Sequence, residues 1–141
     1  MAMQGHLQPI FALDWHPNSY HVATGGADNT IKIWDLRKMR VLHTLAAHSS
    51  TVSDLRFFQA STKASAFLKM LDASAPDITG SWMVSSGYDG SIKIWSTGDW
   101  KLVKELLGHD GKVMSVDYVR DGKNFLSTGF DNTLKLWGLD K

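Results

Sequence analysis

His109, Ser127 and Asp131 are side chains of this chain that could do chemistry together. A hydroxyl, an imidazole and a carboxylate form the constellation of acyl-transfer hydrolysis. The imidazole takes the hydroxyl proton and the carboxylate orients the ring. The same types recur as His6, Thr24 and Asp28, and again as His48, Ser85 and Asp89. A tryptophan follows each Asp by 6 residues, at Trp34, Trp95 and Trp137. An active site is needed once, so the recurrence favours an architectural use. A carboxylate at a buried turn needs donors; an imidazole supplies one, a hydroxyl donates and accepts, and an indole N–H only donates. Broken, such a network leaves a buried polar group at a cost of about 1–3 kcal/mol.

The spacing says what must position these residues. His precedes Asp by 22 residues in the first and third copies, but His48 precedes Asp89 by 41, so 19 residues are inserted there. His6 and His48, like Trp95 and Trp137, stand 42 apart, and a fixed period of this size marks a repeat architecture. Within the first copy, alternation and turn residues predict strands at 10–15, 20–24, 30–34 and 40–45. The tight connection between the second and third is expected at Gly25-Gly26-Ala27-Asp28-Asn29, where Gly and Asn tolerate positive φ. The third copy predicts strands at 113–118, 124–127 and 133–137, with an Asp121-Gly122 turn signal. The insert falls in a hairpin loop at 58–80. There Ala64, Phe67, Leu68 and Leu71 follow helical spacing, with Ser61 or Thr62 as cap and Pro76 past the end. It reads either as a docking element or as a tolerated loop extension.

Gly5-His6, the alternation, the turn ending in Asp28 and Ile31-Lys32-Ile33-Trp34 resemble the WD-repeat family of β-propellers, and the match recurs through residue 137. Ala47-His48 replaces Gly-His in the second copy, and the Trp is followed by Asp35, Ser96 or Gly138. The resemblance implies an all-β fold, a partial WD-repeat β-propeller of three antiparallel blades, the last lacking its outer strand. The repeats would span 5–46, 47–107 with the insert at about 59–80, and an incomplete 108–138. It also implies that each His, Ser/Thr, Asp and Trp set is a buried structural tetrad. Propellers of this family have about seven blades. The chain is therefore expected to be the C-terminal portion of a larger ring and to self-associate through uncovered blade faces.

The family's partner-binding face, the rim of the central channel, is reached from three and five residues after the His and from the residue before the turn Asp. Those positions hold Pro9, Phe11 and Ala27, then Thr51, Ser53 and Tyr88, then Lys112, Met114 and Phe130. Phe11, Tyr88, Lys112, Met114 and Phe130 are the expected protein-binding residues, although Phe11 and Met114 could equally pack between blades. The wording at 27–37, 88–95 and 107–114 is similar to spliceosomal members of the family that act in the U4/U6 small nuclear ribonucleoprotein. It implies a nuclear scaffold in pre-mRNA splicing that binds splicing-factor proteins and meets RNA mainly through them. Adaptors of ubiquitin ligases or cytoskeletal assemblies are the alternative.

The bulk numbers agree with a binding module. The chain has 141 residues, net charge +1, 43% apolar residues and no cysteine. That balance suits a globular domain, announces no nucleic-acid or membrane footprint, and excludes disulfides and thiolate metal sites. No nucleotide or metal motif is present, so no catalytic residue, metal or cofactor is expected. The basic run Arg37-Lys38-Met39-Arg40 reads as a solvated loop or as a phosphate contact.

Overall fold

The computed structural model describes residues 1–59, 80–119 and 124–138. Among them there is no helix; the described residues form eleven strands in three antiparallel sheets. The first sheet is β1 (Ile10–Trp15), β2 (His21–Gly26), β3 (Thr30–Asp35) and β4 (Arg40–Ala46), in sequential order. The second is β5 (Val52–Phe57), β6 (Trp82–Gly87), β7 (Ser91–Ser96) and β8 (Leu102–Leu107). The third has three strands among the described residues, β9 (Val113–Tyr118), β10 (Asn124–Gly129) and β11 (Leu134–Gly138). This is the expected all-β fold of three antiparallel blades. The first strands lie side by side, β1 against β5 and β5 against β9, so they are the inner strands.

Strand alternation explains the packing. In Thr30-Ile31-Lys32-Ile33, both isoleucines are fully buried while Lys32 between them is half-buried. Side chains of alternating sign fill two cores, one at each seam between blades. Ala23, Ile31, Ile33, Leu55, Met83 and Trp95 meet in the first. Val84, Ile92, Ile94, Val116 and Phe125 meet in the second. The hydrophobic core is therefore between sheets, not within any one of them.

Two local expectations need correction. Gly25 and Gly26 belong to β2, not to the turn. Their lack of a side chain serves close approach: a methyl on Gly25 would stand 2.5 Å from Val52, and one on Gly26 2.5 Å from the Pro9 carbonyl. The turn itself is shorter, and its left-handed residue is Asn29 at φ 68°, matched by Gly90 at 83° and Asn132 at 64°. Phe58, expected in the loop, is a fully buried core residue. Its N–H donates to the Trp82 carbonyl at 2.8 Å, and its own carbonyl accepts from Gly80 N–H at 2.7 Å. The helix expected at Ala64, Phe67, Leu68 and Leu71 lies outside the described residues, as does the Asp121-Gly122 turn.

Candidate functional site

Each repeat brings its His, hydroxyl, Asp and Trp into one hydrogen-bonded line. In the second blade, His48 Nε2 lies 2.9 Å from Ser85 Oγ and His48 Nδ1 lies 3.1 Å from each Asp89 carboxylate oxygen, while Trp95 Nε1–H donates to Ser85 Oγ at 2.9 Å. In the first, His6 stands 2.8 Å from Asp28 and 2.7 Å from Thr24 Oγ1, which accepts from Trp34 Nε1–H at 2.7 Å. In the third, His109 reaches Asp131 at 3.1 Å and Ser127 Oγ at 2.6 Å, and Trp137 Nε1–H donates to that oxygen at 2.8 Å. A neutral imidazole satisfies every member. The carboxylate only accepts, so Nδ1 carries the proton; the indole only donates, so the hydroxyl turns its own proton to Nε2.

The line fastens the loop before each inner strand to the second and third strands of its blade. The carboxylate also collects donors that the spacing did not single out. Thr30, Ser91 and Thr133, two residues after each Asp, donate their hydroxyls at 2.8, 2.8 and 2.7 Å. Leu7, Ser49 and Asp110, next to each His, donate their backbone N–H at 3.2, 3.0 and 2.9 Å. The hydroxyl at Asp+2 in all three copies was the available signal. Gly87 and Gly129 leave the space this requires, since a methyl on either would overlap the neighbouring His Nδ1.

The connectivity of hydroxyl to Nε2 and Nδ1 to carboxylate is that of a hydrolase triad. Its environment is not. A nucleophile must reach a carbonyl carbon, yet Ser85 and Ser127 are 0% and 1% exposed and already accept an indole N–H. Burial pushes the His48 imidazole below its ordinary value, with Asp89 pulling the other way, which favours the neutral ring. Burial raises the Asp28 carboxyl, but donors from His6, Thr30 and Leu7 outweigh it and hold it at about 2. Thr133 and Asp110 likewise hold Asp131 well below the usual carboxylate range. Among the described residues no three His, Asp or Glu side chains converge as a metal site.

The rim positions come together by two devices, repeated three times. The carbonyls of Pro9, Thr51 and Lys112 accept the N–H of Ala27, Tyr88 and Phe130, at 2.9, 2.8 and 2.8 Å. That bond joins the residue three after each His to the one before each Asp. The residue five after each His is the extra one of a β-bulge. Phe11 has no partner between Ile10↔Gly26 and Ala12↔Gly25, and Ser53 and Met114 are skipped in the same way in β5 and β9. A bulge re-aims its side chain. Phe11 and Phe130 are 61% and 72% exposed, and Met114 is 40% exposed. Lys112 places its ammonium 4.7 Å from the centre of the half-buried Tyr88 ring. Ser53 points elsewhere: its hydroxyl bridges to the Val113 carbonyl of the third blade at 2.6 Å. In the basic run, Arg37 is held by Asp35 at 3.2 Å and lies 3.7 Å over the Tyr20 ring.

The sequence has known relatives of several kinds. It is 33% identical over 118 residues to a p21-activated protein kinase-interacting protein 1-like of Danio rerio, covering 84% of this chain and 27% of that one. It is 28% identical to nuclear distribution protein PAC1 of Arthroderma otae, covering 98% and 37%. A chromatin assembly factor 1 subunit FAS2 homolog of Oryza sativa subsp. japonica is 33% identical, covering 92% and 25%. The chain thus spans between a quarter and two fifths of the curated relatives just named. The pattern of one family, described as WD domain, G-beta repeat, matches residues 1–35, 72–96 and 100–138, which take in all three tetrads except His48. The chain belongs to the WD domain, G-beta repeat family.

Proposed function

We propose that this chain is a non-enzymatic interaction scaffold that holds partner proteins on the rim formed by Phe11, Tyr88, Lys112, Met114 and Phe130. The supporting observation is the threefold bulge beside a threefold backbone bond, which delivers unlike side chains to one edge on a rigid support. Exposed aromatic and methionine side chains of this kind are what binding hot spots use. The tetrads behind that edge fix the backbone that carries it.

The finer proposal is a role in the U4/U6 particle of the nucleus, in pre-mRNA splicing and particle assembly, with RNA met mainly through protein partners. Its support is the wording at 27–37, 88–95 and 107–114. The named relatives belong to other settings, a kinase-interacting protein, a nuclear distribution protein and a chromatin assembly subunit. An adaptor of another complex is therefore the second reading. Affinity capture from nuclear extract, read for proteins and small nuclear RNAs together, separates them. Recovery of U4 and U6 RNAs with their proteins, lost on changing Tyr88 and Phe130 together to Ala, is the expected result. Capture of other assemblies without those RNAs would remove the splicing assignment and leave the scaffold.

A further inference from the structure

The turn that joins β1 to β2, at the end of the first blade opposite the rim, is built around one asparagine. Asn18 Oδ1 accepts the backbone N–H of Tyr20 at 3.1 Å and that of His21 at 3.0 Å. A backbone N–H only donates, so these bonds fix which end of the amide is the oxygen. The other end, Nδ2, is therefore a donor, and it stands 2.9 Å from His21 Nδ1. The backbone N–H of the same Asn18 donates to His16 Nδ1 at 3.0 Å. Both imidazoles must offer a lone pair at Nδ1, so both are neutral rings with the proton on Nε2. That is the opposite tautomer to the tetrad histidines, which carry it on Nδ1.

The same two rings sit at the first seam. His16 Nε2–H donates at 3.1 Å to the carbonyl of Gly80, just before β6, and the His16 ring meets Phe57 of β5 edge-on at 5.2 Å. His21 meets Trp100 edge-on at 6.4 Å, and His43 of β4 flanks the same indole at 6.2 Å. Trp100 is buried in the seam with its backbone in the left-handed region, at φ 56°, where a bulky residue is kept only by its surroundings. The titratable and charged groups facing His21 are His16, Asp35, Arg37 and His43, with Arg37 bound to Asp35. Burial opposes a proton on His21, as do His16, Arg37 and His43, while Asp35 favours one. Burial opposes one on His16 as well, against the pull of the Gly80 carbonyl.

We propose that Asn18 is a proton-operated catch on the first seam. It holds His16 and His21 in place against the second blade while both rings are neutral, and lets go of either ring that takes up a proton at Nδ1. Protonation sets N–H against N–H where each bond now lies, at 3.0 Å for His16 and 2.9 Å for His21. The Gly80 carbonyl keeps the Thr97 hydroxyl as a donor when His16 moves, so release loosens the joint without leaving that oxygen bare. Acid thus acts on how two blades are joined, at the end opposite the rim and through none of the rim residues.

Heteronuclear NMR of the chain tests this. At neutral pH, His16 and His21 should show the ring proton on Nε2, and His6, His48 and His109 should show it on Nδ1. On acidification the backbone amide of Asn18 should shift with the titration of His16, and its side-chain amide with that of His21. Both midpoints should fall below the ordinary 6.5. Asn18→Asp sharpens the test, because the carboxylate keeps the Oδ1 bonds and puts an acceptor in place of Nδ2. In that variant the His21 proton should move to Nδ1 and its midpoint should rise above 6.5, while His16 keeps its tautomer. A proton on Nδ1 of either ring in the wild-type chain would overturn the proposal. So would Asn18 amides that stay still until the chain unfolds, or a His21 that titrates alike in both chains. The wild-type spectra decide alone if the variant does not fold.

Discussion

The middle blade and the first blade hold leucine in the same column, and the two leucines live in different worlds. Leu55 is fully buried between sheets, whereas Leu13 is 55% exposed on a face that packs against neither of the other two described sheets. Identical local chemistry, a leucine seven residues after the repeat His, thus yields core in one blade and surface in the other. Stability here is a property of seams. A repeat cannot bury its own apolar face, and only its neighbour can do so.

The largest effect should come from breaking this pair. Leu55→Ala is expected to cost about 2–5 kcal/mol, the range for a fully buried leucine, while Leu13→Ala should stay within about 0.5 kcal/mol. Urea unfolding of both variants checks it; equal losses would mean that the first blade's face is covered in solution. Next comes the tetrad. Ser85→Ala orphans the buried Trp95 indole and the His48 ring nitrogen, about 2–4 kcal/mol for two groups. Ser127→Ala also orphans the buried His109 ring nitrogen but should cost less, about 1–3 kcal/mol, because Trp137 is only half-buried and its indole can find water. A reversed order would show that the tetrad's worth does not follow burial.

The smallest effect is that of pH. Burial lowers His48 below its ordinary 6.5, and also His16 and His21, so the folded chain binds protons on these rings less readily than the unfolded one. Their contribution is complete above 6.5 and is lost as pH falls toward their folded values. Asp28, held at about 2 against an ordinary 3.8, keeps its contribution above 3.8 and loses it on further acidification toward 2. The urea midpoint should therefore decline in two stages on acidification. A midpoint that is flat from pH 7 to about 5 would show that the histidines remain solvated.

Much of this was legible in the residues, and the illegible parts have physical reasons. The fixed intervals of His, Asp and Trp announced three repeats, and the family resemblance implied that each repeat is a blade. Gly25 and Gly26 misled because glycine signals a turn by composition, while here it answers a close approach by Val52 and the Pro9 carbonyl. Phe58 misled for the converse reason, since it sits beside an insert and yet plugs the seam. The bulges left no mark at all. Phe11, Ser53 and Met114 share no residue type, and nothing in a one-dimensional string distinguishes a skipped register from a paired one.

That silence has a consequence for how such a chain can change over generations. The three bulge positions hold an aromatic ring, a hydroxyl and a thioether on one repeated backbone feature, so the feature tolerates any of them. Ser53 also bonds across a seam to the Val113 carbonyl, but a substitution at the exposed Phe11 or Met114 leaves the neighbouring strand register, the tetrad and the seams as they were. Variation in what the rim recognises is thereby uncoupled from variation in whether the chain folds, and a lineage can try new partners at these sites without first risking its architecture.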